Sequence, residues 1–118
     1  GNKDISAIAG PASEGLLVTL PADFSTNPEN AALVAAFKAK NQDTSGPFVM
    51  PAYAGVQIIA DAISGAQSED TAKLAEYIHN NSFDTPIGKV AYNPNGDLKE
   101  FDFVVFKWHA NATKTPVQ

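Results

Sequence analysis

The stretch FDFVVFKWH, Phe101 to His109, decides the fold class. Phe103, Val104, Val105 and Phe106 are consecutive apolar residues, so a strand built from them is apolar on both faces. A strand of that kind belongs inside a sheet covered by helices. Upstream, Ile87 to Tyr92 reads as a second strand, and Asn93-Pro94-Asn95-Gly96-Asp97 between the two is turn-forming by composition. Leu16 to Leu20, bounded by Gly15 and Pro21, is a third short apolar run with the length of a buried strand.

The middle of the chain is helical in pattern. Residues 2–9 open with a short helix carrying Ile5 and Ile8, stopped by Gly10-Pro11. Asn27-Pro28-Glu29 marks a helix start: the Asn side chain accepts from free amides, Pro sits where its missing N–H is harmless, and Glu favours the positive helix end. Leu33, Val34 and Phe37 form that helix's apolar stripe, and 41–46 is a polar loop. A central helix is expected over 51–63, with Val49, Tyr53, Val56, Ala60 and Ile63 as its inward face. Its regular part should start at Pro51, because a residue before proline is biased away from helical dihedrals. A third helix spans about 70–80, capped by Ser68 or Asp70, with Leu74, Ala75 and Ile78 inward. Strand, three helices, strand, strand is an α/β order. The clustering of helices in the middle implies that the chain contributes to two different sheets.

Composition narrows the function. The chain has 118 residues, 44% of them apolar, a net charge of -5 and no cysteine. An acidic chain without a basic run repels nucleic acid and anionic lipid. Disulfides, thiolate metal sites and a cysteine nucleophile are excluded. No apolar run has membrane-spanning length. No signal-peptide pattern opens the chain, and Gly1 is followed by Asn2, Lys3 and Asp4 without an initiating Met. The expectation is a chain that begins inside a longer protein or after processing.

Catalytic residues are not in view: there is no phosphate-binding glycine loop and no nucleophile elbow, and no cofactor is called for. His79 and His109 read as surface or structural histidines, with no second metal ligand at a useful spacing. Asn93, Asn95, Asp97 and Glu100 fail the spacing of a calcium loop and read as a solvated turn. Two glycosylation-type triplets, at Asn80 and Asn111, read as chance. Tyr53 and Trp108 read as packing residues. Phe48 stands apart: it follows Gly46-Pro47 at a helix mouth, where it either closes the loop or forms the wall of a pocket.

Four stretches resemble the branched-chain amino acid binding proteins, the periplasmic partners of ATP-driven importers: ASEGLLVTLP (12–21), FKAKNQDTSGPF (37–48), YAGVQ (53–57) and GDLKEFDFVVFKWHANAT (96–113). They run in order along nearly the whole chain and cover about the final third of such a protein. The resemblance implies part of a two-lobed, type I periplasmic-binding-protein fold that closes on its ligand by hinge motion. It places residues 1–20 in the carboxy-terminal lobe, 21–97 in the amino-terminal lobe as its helical part, and 98–118 back in the first lobe as a returning strand and tail. Crossings fall near 21–24 and 97–101.

It also assigns Phe48 to ligand binding, packed on an aliphatic side chain, which contributes about 1.5–3 kcal/mol. The groups that hold the amino acid's charges lie before Gly1 in the family, so this piece lacks most of the ligand site. Met50-Pro51 stands where the family often has bulkier or hydroxylated residues, and Asn93-Pro94-Asn95 replaces a more acidic turn.

The implied function is a non-enzymatic, extracytoplasmic receptor for branched-chain or similar aliphatic amino acids. Its partners are ABC transporter membrane subunits, in the periplasm or at the bacterial cell surface. A sensory domain of a regulator on the same fold is the alternative reading. Open strand edges give a third, self-association of the piece itself.

Overall fold

The computed structural model describes residues 3–117. Local chemistry builds most of its elements. Helix α1 (Asp4–Ala9) ends at Gly10, and a 3-10 turn (Gly10–Ser13) leads into strand β1 (Leu17–Pro21). At the next helix start Asn27 accepts from the Glu29 amide, as expected, but the first turn is 3-10 (Pro28–Asn30) before α2 (Ala31–Ala39) begins. The central helix α3 (Val49–Ala66) starts two residues earlier than proline bias predicts. Burial of Met50 outweighs that bias, and Pro51 lies in the first turn, where backbone amides have no intrahelical partner. Helix α4 (Thr71–Asn80) is capped by Asp70, which accepts from the Lys73 amide.

Strands β2 (Phe83–Thr85) and β3 (Gly88–Val90) form an antiparallel hairpin, so only part of the strand expected over 87–92 is present and its partner was not anticipated. The 93–97 turn is present: Asn93 donates to the Asp97 carbonyl at 2.8 Å, and Gly96 adopts φ 91°, where a side chain would be strained. It is followed by β4 (Phe103–Trp108) and β5 (Lys114–Pro116), the latter also missed. The order β1-β4-β5 makes one antiparallel sheet, separate from the β2–β3 hairpin.

The expectation that β4 is covered on both faces is corrected. β4 is central, and Phe106 and Trp108 are buried on one face, yet Phe103 on the other is 61% exposed and Val105 is also open. The inward face of α3 is corrected too. Met50, Ala54, Ile58 and Ala62 are buried, whereas Tyr53 and Val56, both placed inward, are exposed. The helix is apolar nearly all round, so periodicity alone does not select the face. On α4, Leu74, Tyr77 and Ile78 are half-buried and Ala75 is exposed.

The core of the helical half is Ile58, Phe83 and Val90, with Tyr77, Ile78, Ile87, Tyr92 and Leu98 packed around it. Burying each large apolar side chain there contributes about 1.5–3 kcal/mol. In the sheet half Leu20, Phe106 and Trp108 are buried on one face, and Trp108 is tied to α1 through Ser6. The radius of gyration, 17.1 Å, exceeds the value of about 13.5 Å expected for one compact domain of this length. The chain is therefore two bodies, one of α1, β1, β4 and β5, the other of α2–α4 and the hairpin.

Two segments cross between them side by side. Pro21, which ends β1, is paired with Phe103, which starts β4. The rings of Phe24 and Phe101 lie 6.5 Å apart between centroids. Buried Asn30 ties the first crossing to the hairpin, donating to the carbonyls of Phe24 and Pro86 at 2.8 Å each.

Candidate functional site

Helix α2 ends at Lys40, with Asn41 in a left-handed conformation, and the chain turns toward the mouth of α3. Asp43 shapes that loop. Its carboxylate accepts from the Ser45 amide and the Ser45 hydroxyl, both at 2.9 Å. Val49 then donates to the Gly46 carbonyl at 3.2 Å, and a Cβ on Gly46 would lie 3.1 Å from a Val49 methyl. A small residue at 46 lets the loop close tightly onto the helix. Phe48, at the N-cap of α3, is consequently not drawn inward: it is 63% exposed.

Phe48, Pro47 and Val49 form the apolar wall of an open hollow of about 450 Å³. Lys3, Asp43 and Ser45 form its polar side. Lys3 arrives from the other body, its ammonium 3.3 Å from Asp43 Oδ2. A second hollow, about 210 Å³, adjoins it, shares Lys3 and Ser45, and continues along Asp23, Trp108, Thr113 and Lys114. Together they form a notch between the two bodies. The Ser45 amide, then the Ser45 hydroxyl and Lys3, hold the Asp43 carboxyl below the ordinary carboxylate value of 3.8. Asp43 is thus an ionised acid whose oxygens already have donors. The notch offers an apolar wall and a self-neutralised polar rim, which suits an aliphatic group better than a free charge.

The other residues considered from sequence lie elsewhere. Tyr53, expected in the core, is exposed and packs edge-on against Phe37, centroids 6.0 Å apart. Trp108 is buried, and its indole donates to Ser6 Oγ at 2.7 Å. His109 pairs with Glu14 at 2.9 Å and with Thr115 at 3.0 Å, a structural role. Among the described residues no group of three His, Cys, Asp or Glu could hold a metal, and no helix is long and apolar enough to cross a membrane. Sequence reasoning missed Lys3, Asp43 and Ser45. Asp-x-Ser ahead of Gly-Pro was a readable turn signal, but no local pattern could bring Lys3 to it from 40 positions away.

The chain is thus a two-body α/β structure with paired crossings and an apolar-walled notch between the bodies. The chain belongs to the periplasmic binding protein family, whose model matches residues 1–113. Among its relatives, a leucine-, isoleucine-, valine-, threonine- and alanine-binding protein of Pseudomonas aeruginosa is 53% identical over 118 residues, all of this chain and 32% of the relative. The Leu/Ile/Val-binding protein of Escherichia coli is 46% identical over 114 residues, 97% of this chain and 30% of that protein. A crystal structure of a leucine binding protein from Thermotoga maritima superposes with a TM-score of 0.79 at 26% identity, covering 98% of this chain and 33% of that one. A periplasmic binding protein from Burkholderia mallei, 15% identical with a TM-score of 0.73 over 98% of this chain and 32% of that one, shares the fold. The architecture is that of the type I periplasmic-binding-protein fold, and the chain spans about a third of the length of the curated relatives it matches.

Proposed function

We propose that this chain is the carboxy-terminal share of a bacterial extracytoplasmic receptor that captures a branched-chain or similar aliphatic amino acid and delivers it to an ABC transporter. The receptor works in the periplasm or at the cell surface. In this reading residues 1–20 and 98–118 belong to one lobe, residues 21–97 to the other, and Phe48 is the wall against which the ligand's aliphatic side chain packs. The observation that carries it is the exposed Phe48 ring at the mouth of α3, on the notch between the bodies. A large aromatic left open to water at a helix entrance is a surface waiting for an apolar partner. The uncovered side of α3 supports the longer protein: Val56 is 70% exposed on a helix apolar nearly all round, a pattern of helices buried on both sides.

The polar half of the site must come from outside these residues. An amino acid's ammonium wants an acid, and both acids on the notch are already bonded, Asp43 to Ser45 and Lys3, Asp23 to Ser25 and Lys114. The isolated 118-residue chain should therefore bind leucine no tighter than about millimolar, a total of roughly 4 kcal/mol.

Calorimetric titration of the complete protein with leucine, isoleucine and valine tests the assignment. At least one should bind, and Phe48→Ala should weaken that binding roughly ten- to a hundred-fold. Absence of heat with all three would defeat the substrate class. Unchanged affinity in Phe48→Ala would defeat the role of the ring.

A further inference from the structure

Four charged side chains face each other where the two bodies meet. Lys3, at the start of α1 on the sheet body, lies 3.3 Å from Asp43 beside Phe48. Lys114, on β5, lies 3.6 Å from Asp23 in the first crossing and 5.3 Å above the Phe106 ring centroid. Asp23 stands in the crossing itself, two residues past the end of β1, so of the two pairs only Lys3–Asp43 spans the notch, with the cation from the sheet body and the anion from the loop before α3. The Asp84–Lys89 pair, 3.7 Å apart, joins neighbouring strands of one hairpin and ties nothing across the notch.

We propose that Lys3 and Asp43 are positioning residues for ligand capture, a cross-notch tie that draws the sheet body toward the Phe48 mouth. The inference rests on the receptor reading above. A ligand packed on Phe48 and held by groups from the other body needs the same approach of the two bodies that the ion pair needs. Tie and ligand therefore favour one arrangement, and the tie raises apparent affinity by raising the population of that arrangement. Asp43 is suited to the part because Ser45 fixes its carboxylate with two hydrogen bonds before Lys3 arrives. Less side-chain freedom is then lost when the pair forms. Both partners are well exposed, 71% and 64%, so the tie is weak, reversible and sensitive to salt. A moving hinge requires a contact of that kind.

The experiment uses the complete protein, titrated with leucine, isoleucine and valine at low and high salt, as wild type, Lys3→Met, Asp43→Asn and the double variant. Asparagine at 43 keeps an oxygen for the Ser45 amide. Each single variant should bind roughly two- to five-fold more weakly at low salt, the double variant no more weakly than the singles, and the differences should vanish at high salt. Lys89→Met should bind like wild type. Variants equal to wild type at low salt, or singles that add in the double, overturn the proposal. X-ray scattering without ligand separates this failure from that of the receptor reading. Lys3→Met should enlarge the radius of gyration at low salt whether or not any amino acid binds, and an unchanged radius refutes the tie.

Discussion

Trp108 donates from its indole nitrogen to the Ser6 hydroxyl at 2.7 Å, joining residues 102 positions apart. Ser6 in turn donates to the His109 carbonyl at 3.2 Å. This pair fastens α1 over the sheet, and through it fixes where Lys3 enters the notch. Ser6→Ala would leave a buried N–H without a partner, a loss of about 1–3 kcal/mol. Urea denaturation of the complete protein should show that loss in wild-type background and much less of it in Trp108→Phe, where no donor remains to be orphaned.

The same corner has an acid-sensitive component. Glu14 accepts from the Ala110 amide at 3.0 Å and meets His109 Nδ1 at 2.9 Å. The amide bond first, then His109, holds the Glu14 carboxyl below its ordinary value of 4.5. A carboxylate depressed in the folded state stabilises it above the unfolded value, and that stabilisation is lost as pH falls through the folded value. Melting temperatures of wild type and Glu14→Gln should therefore differ at neutral pH and converge below pH 4.5. A constant gap down to strong acid would contradict the assignment.

Helices α3 and α4 touch through a glycine. A Cβ at Gly65 would lie 2.9 Å from Tyr77 Cε1 and closer still to the hydroxyl end of that ring. The ring cannot simply swing away, because Phe83 packs on it with centroids 6.4 Å apart. Overpacking costs about 1–3 kcal/mol, against a helix-propensity gain of up to about 1 kcal/mol for alanine. Gly65→Ala should thus destabilise by up to about 2 kcal/mol, yet stabilise in a Tyr77→Leu background. A double-mutant cycle in denaturant measures the reversal, and the same sign in both backgrounds would rule out the contact.

Two apolar residues of α3 should answer differently to truncation. Ile58→Ala empties the core and should cost about 2–5 kcal/mol wherever it is measured. Val56→Ala should cost under about 0.5 kcal/mol in the 118-residue chain, where the side chain is exposed. In the complete protein it should cost roughly 1.5 kcal/mol if the missing portion covers that face. Equal small losses in both settings would mean the face stays open.

Much of the local structure was legible. The Asn27 and Asp70 caps and the 93–97 turn rest on hydrogen bonds between residues at most four apart, so a short window contains their whole cause. The mouth of α3 was legible for the same reason: Gly46-Pro47 and the helix start sit beside Phe48 in the chain. Its partners across the notch were not. Lys3 reaches Asp43 only because the sheet body folds back on the loop.

Strand β5, Lys114 to Pro116, has no apolar run to announce it and exists because Phe106 to Trp108 offers a free edge. The buried face of α3 followed the same rule. Its amino acids said that the helix is apolar and amply long. Packing against α4 and the hairpin, and against the first crossing around Met50, chose Met50, Ala54, Ile58 and Ala62 over Tyr53 and Val56. Caps, turns and helix lengths depend on neighbours in the chain, and so the residues dictated them. Which face is buried, which edge is paired and which charges meet depend on surfaces from distant segments, and only folding brings those surfaces together.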